Sequence, residues 1–456
     1  METDLKHIEI KNFKSCKDTK IDFGNFNVLI GANGSGKSNI IEAFRFLKEI
    51  ISPGTINPFI KYGGYRNLVW KNDETLPISF SLVFVSEEKK VKFKLEYSIT
   101  ISGYAGSLEV IQEEIKGKIK DKEIGILRKG NEIIFKKEDV EIGMNAKTYF
   151  APVLSSLVYY FFDIFGFVEN ISVITSFSST NKEYEKYINC VGKKPDEKIK
   201  KFVVEIFRQP SVLSIRSQIP ITLSYLFFLC RQNINNIFVF NLIPQMMKPP
   251  SKLESKELDY NGENLQSILF NIFSEHQGWP EDITERLKIL FPHISKMSVI
   301  STPDGRIMLK VIENGIELQM NSLSDGFFKI IAVLALCFEY KKTGADLGMQ
   351  MEPVAKLKEL LRKHSGHVII IEEIENFIHP EAIEIVMEAL KSSGNTIILT
   401  THSPVVLNMT EIEDILFVEK QVDETVTERH KDAKKLKEEL IKKISVGEGW
   451  LLGALK

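Results

Sequence analysis

The 456-residue sequence predicts an α/β fold in two lobes, with an antiparallel β subdomain and a mostly helical insertion. Apolar runs near both ends of the chain finish in a glycine turn or in paired carboxylates, as buried parallel strands of an open sheet do. A segment of alternating apolar and polar residues indicates antiparallel strands. We therefore expect an N-terminal lobe over 1–150, the insertion over 151–240 and a C-terminal lobe over 241–456.

The N-terminal elements follow from short periodic runs. Leu5–Ile10 and Phe26–Ile30 read as two short strands within the first 30 residues. From Ser38 a helix is expected, with apolar residues one turn apart, and Pro53 stops it. Within residues 78–135, Val91–Ile99 alternates apolar and polar residues and Ile78–Phe84 nearly does so, which predicts a small antiparallel meander.

The insertion has helical but irregular patterning. It contains no sustained heptad repeat, which argues against a long coiled-coil arm and favours a lobe or a short hairpin. After the prolines at 244, 249 and 250 the sequence resumes an α/β rhythm.

Composition limits the function classes. The chain is 43% hydrophobic and 26% charged with a formal net charge of −2, so no whole-molecule basic field gathers nucleic acid. Its cysteines (16, 190, 230 and 337) are far apart, which argues against zinc clips and disulfide frameworks. No signal-peptide core opens the chain, and its most apolar stretch, 157–168, is too short to span a membrane. We expect a soluble cytoplasmic protein without a membrane partner.

The segment Gly31-Ala-Asn-Gly-Ser-Gly-Lys-Ser38 matches the phosphate-loop pattern G-x-x-x-x-G-K-[ST] in full. Its glycines let backbone N–H groups point at a β-phosphate, at the positive end of the following helix. Lys37 is expected to reach the β- and γ-phosphates, and the Ser38 hydroxyl to bind Mg²⁺. A glycine-rich turn without a ligand is the alternative, which the flanking strand and helix disfavour. The expected nucleotide contacts are Asn33, Gly34, Ser35, Gly36, Lys37, Ser38 and Asn39.

Two further apolar runs end in polar residues. His367-Val-Ile-Ile-Ile-Glu-Glu373 would deliver both carboxylates to the carboxyl edge of a parallel sheet. Glu372 is expected to hold Mg²⁺ through water, and Glu373 to act as the catalytic base on the attacking water. The run Thr396–Thr401 ends at His402, which is placed to donate a hydrogen bond to a γ-phosphate. A solvated strand end and a structural histidine are the alternatives.

Leu323-Ser-Asp-Gly326 precedes a long apolar run that predicts a helix. Ser324 is expected to cap this helix, and Gly326 to let a phosphate approach its first turn. Four residues of L-S-x-G are weak evidence alone. Their place between the phosphate loop and the acidic strand makes them informative.

This order of motifs resembles the ABC/SMC superfamily of bilobed ATPase heads. The opening Ile8-Glu-Ile-Lys-Asn-Phe-Lys-Ser15 and the phosphate loop resemble SMC, Rad50 and RecF heads in particular. The paired glutamates followed by Glu375-Asn-Phe-Ile-His-Pro380 are similar to the stand-alone bacterial group called AAA15 or OLD-like ATPases. Further similar segments are Asn241–Pro244, Asp259–Leu265 and Gly447–Gly453. Residues 100–235 are not covered.

The resemblance implies ATP hydrolysis with ATP and Mg²⁺ as cofactors, in a site shared by two protomers that meet head to tail. Ser324 and Gly326 of one protomer would cover the γ-phosphate held by the other. Lys14 matches the basic residue that touches phosphates in SMC-like heads, and Glu375–Asn376 replaces the loop that communicates between sites. The usual Mg²⁺-sensing glutamine is not identified, and Asn67 is only a candidate.

Three functions remain open. The first is a sensor or scaffold ATPase of bacterial anti-phage defence, a homodimer or larger homo-oligomer resembling the stand-alone ATPase of PARIS or Septu systems. It would act with a separate effector nuclease, because 403–456 is too short for a TOPRIM nuclease domain. The second is a RecF/SMC-like DNA repair or chromosome-maintenance ATPase, with the lysine-rich stretch 431–443 as the candidate DNA contact. The third is a clamp that binds ATP and hardly hydrolyses it.

Overall fold

The computed structural model describes residues 3–51, 57–88, 91–103, 106–119, 122–130, 132–137, 140–145, 226, 229–253, 257–340 and 366–429. The chain forms two units. The antiparallel unit comprises Met1–Asp18, Arg45–Asn235 and Gly348–Ser365. The parallel-sheet unit comprises Thr19–Phe44, Asn236–Leu347 and Gly366–Lys456. Most of the expected insertion and the stretches 431–443 and 447–453 lie outside the described residues, so the domain boundaries stay predictions.

The antiparallel unit is built on an eight-stranded sheet of order β2-β1-β4-β5-β6-β7-β8-β9. Side chains of its central strands alternate between the buried core and the surface, as the period-two pattern predicts. The expected meander is present and continues past residue 135. The strands are β1 (Asp4–Phe13), β2 (Cys16–Asp22), β4 (Ile78–Glu88), β5 (Val91–Ser102), β6 (Glu109–Ile119), β7 (Lys122–Lys129), β8 (Glu132–Lys137) and β9 (Val140–Asn145).

The expectation of two strands in the first 30 residues is wrong, because β2 forms a third. This strand was not predicted because it contains Lys17, Asp18 and Lys20, and charged residues are depleted in strand interiors. β2 lies at the edge of the sheet, where such charges are tolerated and discourage pairing with other chains. Only Cys16, Thr19 and Ile21 are buried.

Aromatic side chains form the core of the antiparallel unit beside helix α1 (Lys37–Ile51). Phe46 from α1 lies with its ring centroid 5.5 Å from that of Phe13 and 6.2 Å from that of Phe80. Phe59 completes the group at 6.1 Å from Phe46. All four are at most 1% exposed, so their burial is a main source of stability here.

The parallel-sheet unit contains a six-stranded sheet of order β10-β14-β15-β3-β16-β17. The first five strands pair in parallel, and β17 closes an antiparallel hairpin with β16. The strands that are buried throughout, β3, β14 and β15, are the apolar runs that the sequence singled out. The bounds are β3 (Phe26–Ile30), β10 (Ile237–Phe240), β14 (Val368–Ile371), β15 (Thr396–Thr401), β16 (Ile415–Gln421) and β17 (Glu424–Glu428).

Helices and a small second sheet complete this unit. Helix α5 is buried along almost its whole length and packs against α2, α3, α4 and α6. Among the described residues no helix is both long and apolar enough to cross a membrane. The helices are α2 (Pro244–Met247), α3 (Leu265–Glu275), α4 (Glu281–Leu290), α5 (Asp325–Glu339), α6 (Pro380–Ser392) and α7 (Pro404–Asn408), and the second sheet contains β11 (Ile294–Ser301), β12 (Ile307–Glu313) and β13 (Ile316–Leu318).

Phe46→Ala is expected to lower the free energy of unfolding by about 3–5 kcal/mol, because it leaves a cavity among the other rings. Urea denaturation followed by circular dichroism measures this change. Ile60→Ala is the control, since Ile60 is 75% exposed, and it is expected to cost less than about 0.5 kcal/mol. Equal losses in the two variants would contradict the assignment of Phe46 to the core.

Candidate functional site

The order of the parallel strands brings the predicted site residues to one sheet edge. Ile30, at the end of β3, pairs with Thr401 at the end of β15, and Ile371 of β14 pairs with Leu399 one strand further. The phosphate loop, the paired glutamates and His402 therefore leave the sheet at the same edge. Ligands of open α/β sheets bind at this carboxyl edge.

The phosphate loop has a backbone that requires glycine. Gly34 and Gly36 have φ of +77° and +108°, a region that side chains rarely adopt. A Cβ on Gly36 would lie 1.9 Å from Thr425 Oγ1, and one on Gly31 would lie 2.1 Å from the Val418 carbonyl oxygen. The loop thus rests directly on the β16–β17 hairpin.

Thr425 of the β16–β17 hairpin forms a hydrogen bond with the phosphate loop. Its hydroxyl donates to the Ser35 carbonyl at 3.2 Å, and its own carbonyl accepts from the Thr19 hydroxyl at 2.8 Å. Sequence reasoning missed Thr425, because an isolated threonine on a polar hairpin carries no local signal. The contact fixes the backbone whose N–H groups are expected to face phosphate.

Lys37 lies inside the loop. Its ammonium donates to the carbonyls of Gly31 at 2.7 Å and Ala32 at 3.1 Å, which uses two of its three donors. Burial lowers the pKa of Lys37, and the charges of Glu373 and Glu375 oppose that shift. Lys37 and these two glutamates belong to the same parallel-sheet unit, where their charges interact.

The acidic strand ends in a strained turn. Glu373 has φ of +46°, a left-handed conformation that a non-glycine residue adopts at an energetic cost. Its N–H donates to Thr400 Oγ1 at 2.9 Å, and the N–H of Glu372 donates to the Phe240 carbonyl at 2.9 Å. Glu372 is half-buried and Glu373 is exposed, so the second carboxylate faces solvent at the edge.

Glu375 links the segment that follows strand β14 to the turn at His402. Its Oε1 accepts from the backbone N–H of His402 at 2.7 Å. Its Oε2 is buried without a hydrogen-bond partner among the described residues. The exposed His402 side chain is thereby held at the same edge as Lys37 and Glu373.

Lys329 from helix α5 approaches the acidic turn from the protein interior. It is 1% exposed, and its ammonium lies 3.4 Å from the carbonyl oxygens of both Leu242 and Glu373. Burial lowers its pKa to about 8, opposed by Glu375, Glu373 and Glu372 in that order. Sequence reasoning missed Lys329, although a lone lysine within the apolar run of α5 was a visible signal.

The segment Leu323–Gly326, the signature turn, has the expected cap. Ser324 Oγ accepts from the Phe327 N–H at 3.1 Å, so its capping role is confirmed. A Cβ on Gly326 would lie 2.6 Å from the Phe377 carbonyl oxygen, so this glycine packs on the loop after the acidic strand. The described contacts of Ser324 and Gly326 do not include the phosphate loop, and their phosphate role stays a prediction.

Two other predicted residues belong to the antiparallel unit. The N–H of Lys14 donates to the Leu68 carbonyl at 2.6 Å. The Asn67 side-chain amide donates to the carbonyls of Tyr62 and Gly63, each at 3.1 Å. The Asn67 bonds hold a local turn, and the Lys14 bond joins two segments that are distant in the sequence. The nucleotide roles of Lys14 and Asn67 stay predictions.

The donor set fits Mg²⁺ better than a transition metal. Within the described part of the chain, no cluster of three or more His, Cys, Asp or Glu could hold a metal alone. Mg²⁺ is usually bound through one or two protein oxygens together with substrate phosphates. The exposed Ser38 hydroxyl and the Glu372 carboxylate are hard oxygen donors of this kind.

Comparison with known proteins identifies the family of the chain. The AAA ATPase domain family, AAA_15, matches residues 4–407. The chain is 33% identical over 114 residues to the DNA replication and repair protein RecF of Lactococcus lactis subsp. cremoris (strain MG1363), covering 24% of this chain and 31% of that protein. RecF of Streptococcus pneumoniae (strain CGSP14) is 35% identical over 100 residues, covering 22% and 24%. The matches thus span a third or less of these relatives.

Solved SMC heads were also found. The SmcHead bound to the C-winged helix domain of ScpA gives a TM-score of 0.44 at 13% identity, covering 95% of this chain and 99% of that one. The SMC head domain from Thermotoga maritima gives 0.36 at 14% identity, covering 94% and 99%.

Gly36→Ala is expected to weaken nucleotide binding about tenfold or more, because the new methyl group collides with Thr425 and strains the loop. Titration with a fluorescent ATP analogue measures the loss. Gly315→Ala is the matched control, since Gly315 has φ of +83° and nothing within 4 Å of an added Cβ. Unchanged affinity in Gly36→Ala would contradict the role of this loop.

Proposed function

Because the chain belongs to the AAA_15 family of AAA ATPase domains, we propose that it binds and hydrolyses ATP with Mg²⁺ as a head-to-tail homodimer or larger homo-oligomer. The observation that carries this proposal is the shared sheet edge of β3, β14 and β15. A phosphate loop, paired carboxylates and a histidine leave the sheet together there. This is the set of groups that phosphoryl transfer to water needs.

Each residue has a defined role in the proposed reaction. Lys37 and the loop N–H groups bind the β- and γ-phosphates, while Ser38 and Glu372 hold Mg²⁺. Glu373 takes a proton from water as the water oxygen bonds to the γ-phosphorus and the bond to ADP breaks. His402 donates to the γ-phosphate. The exposed position of Glu373, with its N–H held by Thr400, supports its assignment as the base.

The second half of the site would come from another protomer. Ser324 and Gly326 lie at the N-terminus of the 15-residue helix α5, whose partial positive charge favours an anion. Ser324 is exposed, so this turn is accessible to a nucleotide bound elsewhere. Contact with the γ-phosphate across two copies would make dimerisation depend on ATP.

For the biological role we propose a sensor or scaffold ATPase of anti-phage defence that acts with a separate effector nuclease. The similarity of Glu375–Pro380 to the stand-alone group of ATPases, the kind used by PARIS and Septu defence systems, supports this role. The alternative is a DNA repair ATPase, which the partial identity to RecF supports. Mass spectrometry of proteins that copurify from the native host tests the first, and a copurifying nuclease is expected. ATP-dependent, salt-sensitive duplex binding without such a partner would favour the second.

Glu373→Gln is expected to reduce ATP hydrolysis by about 100-fold or more while ATP binding persists, because the amide cannot accept the proton. The variant should therefore accumulate as an ATP-bound dimer. Phosphate release and light scattering after gel filtration measure the two effects. Glu381→Gln is the control, since the Glu381 side chain is 91% exposed on α6. Normal hydrolysis by Glu373→Gln would show that the base is another group.

The shared site is tested by adding Ser324→Arg to Glu373→Gln. The bulky cation should block ATP-driven dimerisation and leave ATP binding by the single protomer unchanged, since the described contacts of Ser324 do not include its own phosphate loop. If the double variant still dimerises with ATP, the signature turn does not cover the partner's nucleotide.

A further inference from the structure

We propose that Tyr260 is a positioning residue for Glu372, holding the carboxylate in the orientation in which it receives Mg²⁺. The inference rests on the proposed metal role of Glu372. The Tyr260 hydroxyl donates to Glu372 Oε1 at 2.8 Å, from a residue 112 positions away in the sequence. This is a well-formed O–H···O hydrogen bond to a carboxylate, the stronger kind of hydrogen bond.

The turn that carries Tyr260 is rigidly built. The N–H of Gly262 donates to the Asp259 carbonyl at 2.9 Å, and Gly262 has φ of +79°. A Cβ on Gly262 would lie 2.7 Å from Met247 Cγ, so the turn packs tightly on α2. Asn264 fixes its start, with Oδ1 accepting from the Asp259 N–H at 2.8 Å and Nδ2 donating to the Glu257 carbonyl at 2.7 Å.

The same turn is attached to the sheet beside the acidic strand. The N–H of Asn241, the residue after β10, donates to the Tyr260 carbonyl at 2.8 Å. The N–H of Glu372 donates to the Phe240 carbonyl at 2.9 Å, and Phe240 pairs with Ile371 in the parallel sheet. The backbones of Tyr260 and Glu372 are therefore both hydrogen-bonded to β10 or the residue after it, which fixes the distance between the phenol and the carboxylate.

A neutral donor suits a metal-holding carboxylate. The phenol donates a hydrogen bond to Oε1 and carries no charge of its own. Unlike a lysine or arginine, it orients the carboxylate without neutralising the charge that attracts Mg²⁺. Lys329 lies instead against the backbone carbonyl of Glu373, on the next residue. Tyr260 thus orients the Glu372 carboxylate, whereas a cationic side chain in its place would reduce the affinity of that carboxylate for Mg²⁺.

The test separates orientation of Glu372 from simple stability of the turn. Tyr260→Phe removes only the hydroxyl, and Tyr65→Phe is the matched control, since the Tyr65 hydroxyl donates to the Leu76 carbonyl at 2.6 Å. Glu372→Gln is the reference for a damaged metal site. Each protein is saturated with a non-hydrolysable ATP analogue and titrated with Mn²⁺, with free Mn²⁺ followed by electron paramagnetic resonance. Affinity for the same analogue is also measured in EDTA.

Tyr260→Phe is expected to bind Mn²⁺ about tenfold more weakly than wild type, with unchanged analogue affinity in EDTA. Tyr65→Phe should bind Mn²⁺ like wild type. If Tyr260→Phe binds Mn²⁺ normally while Glu372→Gln does not, the positioning role is overturned and the metal role of Glu372 survives. If Glu372→Gln also binds Mn²⁺ normally, the metal role fails and the inference fails with it.

Discussion

The parallel pairing of β3 with β15, and of β15 with β14, is the constraint on which the site depends. Ile30 pairs with Thr401 and Leu399 with Ile371, so strands distant in sequence end side by side. All three strands are buried throughout, and burial of apolar surface holds this register in place. The polar residues that follow the three strands therefore lie at the same edge of the sheet.

Cross-connections then fix the loops that leave this edge. Thr400 holds the N–H of Glu373, Glu375 holds the N–H of His402, and Thr425 holds the carbonyl of Ser35. Each is a hydrogen bond between elements far apart in sequence. The bonds at Glu373 and Glu375 stabilise a turn with Glu373 at positive φ, since such strain persists only where the surroundings determine it. Preorganised loops of this kind spare an active site the cost of ordering itself on ligand binding.

The sequence predicted the elements of this edge better than their supports. The phosphate loop, the acidic strand, the histidine strand and the cap at Ser324 each show as a local pattern, because a strand or a helix start is encoded within a few neighbouring residues. Thr425, Tyr260 and Lys329 act on partners 390, 112 and 44 positions away, outside any periodic window. The same reason explains β2, whose pairing at the sheet edge offsets its unfavourable charged residues.

Helix α5 joins the two halves of the proposed chemistry within one protomer. Ser324 caps it, its first turn carries Gly326, and its next turn carries Lys329, which contacts the Glu373 carbonyl. Gly326 also packs against the Phe377 carbonyl, so the signature turn touches the acidic loop at a second point. A closely packed helix moves as a unit, because core packing transmits displacement instead of absorbing it. In the proposed site, a nucleotide that engaged Ser324 would contact the same helix whose Lys329 lies against the Glu373 carbonyl.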